Sequence, residues 1–178
     1  MSILASQAEH PVWVLYDRYK ELRLNVRYFE RMLHETMRLN RVMQIVIAVF
    51  ASTTVAGLWL FSTPIGLVLW RLVSAAAAIC AVAHPFLKLD EKTQKYEALM
   101  TSYRLLAHEA ASLVDRVRTE NIYNDEHRLI LDGIINKQRR LLELYPVACC
   151  NEKLRNQCTD EVNRELPAES FFIPRSAS

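Results

Sequence analysis

From residue 42 to residue 87 the chain runs for 46 residues with one charged side chain, Arg71, and no other feature limits the fold as severely. A helix needs about 20 apolar residues to match a hydrocarbon layer about 30 Å thick. Residues 42–61 and 65–83 meet that requirement on either side of Ser62-Thr63-Pro64. The sequence therefore predicts a two-transmembrane helical hairpin with water-soluble flanks.

Apolar residues make up 51% of the 178 and charged residues 24%, but these averages merge a charge-poor centre with strongly charged arms. Too little chain remains outside the hairpin for an enzyme domain with a deep core of its own. A cleaved leader is not expected, because about 40 charge-rich residues precede the first apolar run. Arg31, Arg38 and Arg41 stand before the first span, Lys88, Lys92 and Lys95 follow the second, and the connector carries no basic residue. By the positive-inside rule this predicts a multi-pass inner-membrane protein with both termini in the cytoplasm.

On the N-terminal side, Val12, Leu15, Tyr19, Leu22, Val26, Phe29 and Leu33 recur in steps of three and four, which is a heptad seam. Asp17, Arg18, Lys20, Glu21, Arg23, Arg27, Glu30 and Arg31 lie between, so the opposite side reads as a solvated face. No Gly or Pro interrupts the run, and one helix is expected to continue to about residue 61. Pro64 suits the start of the returning span, and Pro85 predicts a kink where that span ends.

The same rhythm resumes at Tyr96, Leu99, Tyr103, Leu106, Ala110, Leu113 and Val117, so the two seams can zip together as an antiparallel coiled coil. A break is expected at 121–124. Asp125 and Glu126 then suit a helix start, with Leu129, Ile130, Leu131, Ile134, Ile135, Leu141, Leu142 and Leu144 forming a stripe wide enough to pack on two neighbours. The expected architecture is all-α: an N-terminal amphipathic helix (1–41), the hairpin (42–87), a cytoplasmic three-helix bundle completed by 88–145, and a short polar helix with a tail (146–178).

Within the hairpin, Arg71 either snorkels to headgroups or, in an oligomer, lines a passage for anions. Ala48, Ser52 and Ala56 repeat every fourth residue, and Ser74, Ala77, Ala78 and Ala81 make a second small face, as close helix packing requires. Gln44 and His84 stand near the span ends. The four cysteines are Cys80, Cys149, Cys150 and Cys158; on the reducing side of a membrane they read as free thiols, and their spacing lacks the paired ligands of a zinc site.

Catalytic patterns are sparse. His34-Glu35 and His108-Glu109 lack the second histidine of a metalloprotease helix, three glycines (Gly57, Gly66, Gly133) leave no phosphate-cradling loop, and Ser102 and Ser112 fall on helix without a strand-turn context. Lys137, Arg139 and Arg140 read as a solvated helix end, and a net charge of +2 gives no nucleic-acid footprint. No enzyme activity, cofactor or metal is expected.

The layout resembles the SLATT family of small two-transmembrane effectors in bacterial conflict systems. Tyr28-Phe29-Glu30-Arg31-Met32-Leu33, the two spans and the Tyr96, Leu99, Tyr103, Leu106 seam carry that resemblance over about residues 10–145. It implies a homo-oligomeric effector that forms a pore or disrupts the inner membrane when a regulatory partner, or a nucleotide-signalling or retron-like module, triggers it. The competing expectation is an anchor or adaptor that holds a soluble partner through its bundle.

Overall fold

A computed structural model describes the backbone of residues 10–60, 75–76, 78–79, 81–83, 85–145 and 151–174, and the side chains of all but 50–60. The described residues form helices and no strand. Helix α1 is Val12–Leu60, α2 Leu89–Glu120, α3 Asp125–Leu144 and α4 Glu152–Glu165, followed by a 3-10 turn at Ala168–Ser170. The expected end of α1 near residue 61 lies outside the described residues. Chain contacts divide the molecule into two units, one of Met1–Arg31 with Tyr96–Ser178 and one of Met32–Lys95.

The first unit is built on the two heptad seams. Leu15, Leu22, Val26 and Phe29 of α1 and Leu99, Tyr103, Leu106, Ala110, Leu113 and Val117 of α2 are all buried, while Tyr19 and Tyr96 are half-buried. The seams meet through aromatic faces: Phe29 stacks on Tyr103 with centroids 5.4 Å apart and planes 14° apart, and Tyr96 lies 6.3 Å away. Stacked aromatic pairs add about 0.5–1.5 kcal/mol to the burial of their area.

At the end of α2 the backbone turns through Asn121 with φ of +53°, a left-handed conformation that asparagine tolerates better than most residues. Helix α3 then starts at a capping box, in which the Asn124 side chain accepts from the His127 N–H at 3.0 Å and the Asn124 N–H donates to His127 Nδ1 at 3.3 Å. The stripe of α3 is narrower than its sequence suggests. His127, Leu131, Ile134 and Gln138 are buried, whereas Leu129, Leu142 and Leu144 face solvent. Gly133, in mid-helix, has open space around a would-be Cβ, so Gly133→Ala is expected to raise stability by about 0.5–1 kcal/mol in a denaturant titration.

The expected three-helix bundle gains a fourth member. Helix α4 inserts Leu154, Cys158 and Val162, all buried, and Asn151 caps it by accepting from the Leu154 N–H at 3.2 Å. The tail is also tied down: Phe171 stacks on Tyr16 at 4.3 Å, and the Tyr16 hydroxyl donates to the Phe172 carbonyl.

In the second unit, Leu33, Thr36, Met43 and Leu89 are buried. Residues 75–76, 78–79, 81–83 and 85–87 are helical, so Pro85 itself lies in helix. The backbone takes a left-handed turn at Lys88, whose φ is +46°, just before α2 begins.

Among the described residues no helix is long and apolar enough to cross a membrane. This finding overturns the two-span inner-membrane localisation with both termini in the cytoplasm, and the transmembrane hairpin is unsupported. Of the first proposed span, side chains are described from Val42 to Val49. The rest of the proposed spans lies at 50–60, where only backbone is described, or in a second segment of which only short stretches are described.

Candidate functional site

Two stretches of the second unit leave large apolar side chains in water. On α1, Val42, Ile45 and Val49 recur at i, i+3 and i+7, the spacing of a single helix face, and each is about half exposed. The helical residues before Lys88 repeat the pattern with Ile79, Val82 and Phe86, which are 69%, 66% and 80% exposed. Single exposed leucines are commonplace, but three large apolar side chains in one helical register on each of two stretches are surface that water does not favour.

Basic residues border that surface. Arg38 and Arg41 lie one turn before Val42 and Ile45, and a groove there is lined by His34, Met37, Arg38, Arg41, Val42 and Ile45. Lys88 and Lys92 follow Phe86 in sequence, with Lys88 Nζ 3.2 Å from Glu91. Polar side chains connect the two stretches of this unit: Asn40 Nδ2 donates to Asp90 Oδ1 at 2.9 Å, and Gln44 Nε2 donates to Asn40 Oδ1 at 3.4 Å. Gln44 thus takes part in an amide relay at the border of the apolar face.

The remaining residues singled out in the spans are distributed unevenly. Ala48, Ala78 and Ala81 are described and exposed. Ser52 and Ala56 lie on α1 where side chains are not described, and Arg71, Ser74, Ala77 and His84 lie outside the described residues. Of the cysteines, Cys158 is free and buried, and Cys80, Cys149 and Cys150 lie outside the described residues.

The first unit contains an electrostatic feature that the sequence analysis did not find. Arg23, Arg27 and Arg31, read as part of a solvated face, reach α4 instead. Arg27 pairs with Glu161 at 3.0 Å and Glu165 at 2.5 Å, Arg31 with Glu161 at 2.5 Å, and Arg23 with Glu165 at 2.8 Å. The steps of four in 23, 27, 31 and in 161, 165 were the available signal, but nothing in the chain indicated which helices would face one another. The Arg31 hydrogen bond holds the Glu161 carboxyl below its ordinary range, and burial pushes the Cys158 thiol up against the opposing pull of Arg31.

Two buried polar residues of α3 were also missed. His127 is fully buried, stacks on Tyr123 at 6.1 Å and places Nε2 3.3 Å from Glu120 Oε2. Gln138 is 5% exposed and donates from Nε2 to Glu21 Oε1 at 3.1 Å.

No protein-family model, curated protein or solved structure matches this chain. What its own residues define is an all-helical protein with a coiled-coil-like bundle as one unit. The other unit carries an apolar face bordered by basic residues.

Proposed function

We propose that this chain is a lipid-contacting effector, in which the second unit applies its apolar face to a bilayer interface and the four-helix unit governs that contact. The observation that carries this reading is the paired i, i+3, i+7 exposure of Val42, Ile45, Val49 and Ile79, Val82, Phe86 beside Arg38, Arg41, Lys88 and Lys92. A helix with such a face lies in the interface, with its apolar side among acyl chains and its cations at anionic headgroups. Each basic residue near an anionic surface contributes about 1 kcal/mol, and salt screens that term. Copies gathered on one leaflet would displace lipid and loosen the bilayer. The SLATT resemblance supports placing this action in a bacterial conflict system, with a regulatory partner or signalling module as trigger.

The test is flotation and dye release with phosphatidylcholine vesicles and with vesicles that also contain phosphatidylglycerol. The protein is expected to float with the anionic vesicles and release their dye, less so at high salt. The triple variant Val42→Asp, Ile45→Asp, Phe86→Asp is expected to remain in the aqueous fraction with unchanged helical circular dichroism. Equal flotation by that variant, or none by the unaltered chain, would sink the reading.

An adaptor role is favoured by a different observation, a groove of about 340 Å³ between α2 and α3 floored by Leu105, Leu106, Leu141 and Leu144. Leu105 and Leu144 are mostly exposed, and Glu109, Lys137 and Arg140 line the groove beside them. Under that reading Leu105→Glu with Leu144→Glu removes partner binding while vesicle association is unaffected.

A further inference from the structure

We infer that the first unit holds a binding site for a small aromatic carboxylate, in the cavity between α1, α2, α3 and the start of α4. The cavity measures about 250 Å³, room for one aromatic ring with a short acidic side chain, and Phe29 and Tyr103 contribute aromatic surface to its wall.

The polar groups around it are unusual for the interior of a helical bundle. Tyr103 is 1% exposed and lines the cavity. Burial and the nearby Glu21 carboxylate keep that phenol protonated, and so a donor. Gln138, also buried, donates from Nε2 to Glu21 and lines the cavity. Asn25 adds a second amide. A phenol, two amides and a guanidinium thus line one space that a ligand can fill.

Charge selects the kind of ligand. Glu21 is already answered by Arg18 at 2.6 Å and by Gln138. Arg155, on the first turn of α4, lines the same cavity and makes no ion pair among the described residues. An unpaired guanidinium beside a partly apolar cavity favours a planar carboxylate, which it can bind with two parallel hydrogen bonds. The ring of the ligand would lie along Phe29, with a ring hydroxyl or N–H meeting Gln138 and Tyr103. Because Arg155 sits on α4, an occupied cavity also draws that helix onto the bundle.

The experiment uses the 178-residue chain with Cys80, Cys149 and Cys150 changed to serine, so that Cys158 is the only thiol. Calorimetric titration is made with 4-hydroxyphenylacetate, with neutral 4-ethylphenol and with inorganic phosphate, while Cys158 labelling by a maleimide is followed in parallel. The carboxylate is expected to bind at least tenfold more tightly than 4-ethylphenol or phosphate and to slow labelling. Tyr103→Phe, which deletes one hydroxyl without changing the packing, is expected to weaken it about tenfold. Arg155→Gln is expected to abolish the preference for the carboxylate over 4-ethylphenol. The inference is overturned if the carboxylate gives neither heat nor protection of Cys158, if phosphate binds as tightly, or if both substitutions leave its affinity unchanged.

Discussion

Replacing Phe29 by alanine is expected to destabilise the helical bundle by about 3–5 kcal/mol, the usual cost of removing a buried aromatic side chain. Phe29 is 4% exposed and lies where the two seams meet, stacked on Tyr103 and edge-on to Tyr28. Its removal forfeits the transfer free energy of a benzyl group and opens a void between helices that are fixed by their other seam residues. Phe29→Leu, which keeps most of the volume, is expected to lose about half as much. Val14→Ala, on the exposed side of the same helix, should change stability by less than about 0.5 kcal/mol. Urea titrations followed by circular dichroism measure all three, and a Phe29→Ala loss no larger than that of Val14→Ala would show that the seams do not hold the bundle.

The second large effect is expected when the charges that hold α4 are reversed. Glu161→Arg with Glu165→Arg places two new cations against Arg23, Arg27 and Arg31, turning the ion pairs into repulsion. One exposed salt bridge contributes about 0–1 kcal/mol, but reversal at a shared network changes several terms of the same sign. Leu154, Cys158 and Val162 would still favour contact, so the helix is expected to open part of the time rather than unfold. In the single-thiol background, Cys158 labelling should accelerate at least tenfold, and adding Arg23→Glu with Arg27→Glu should restore much of the protection. Unchanged labelling would mean that the apolar contacts alone hold α4.

The same network gives a pH dependence of definite sign. The Glu161 carboxyl titrates below its ordinary value in the folded chain, chiefly through its hydrogen bond from Arg31. Its contribution is therefore complete above the unfolded carboxylate range near pH 4.3 and fades as acid protonates it at still lower pH. Amide exchange of α4, corrected for intrinsic rates, should show constant protection from pH 7 to about pH 5 and loss below that range.

How much of this the sequence discloses follows from what each pattern records. The seams were legible because burial on one helix face imposes its own period, and Leu22, Val26, Leu99 and Leu106 are buried as that period requires. The break before α3 was legible because Asn124-Asp125-Glu126 carries cap chemistry. By contrast, an arginine at a solvated position and one that meets a glutamate 134 residues away look identical in a one-dimensional string, as Arg27 and Glu161 demonstrate. Apolar character also failed to predict burial on α3, where Leu129 and Leu144 face outward while His127 and Gln138 turn inward. Capping geometry and a cross-helix hydrogen bond secure those two polar side chains, and hydropathy registers neither. The apolar centre was legible as apolar; its role as a pair of spans was not, and the described residues support an exposed face instead.

The clasp between Tyr16 and residues 171–172 joins positions 156 apart in the chain. On a ribosome the Tyr16 side chain would emerge and then wait bare until the 156 residues up to its partner had been added. Nascent copies on one polysome therefore present the same sticky patch to each other throughout that interval. Slowing elongation between those two positions should favour entanglement between neighbours over closure of each chain upon itself.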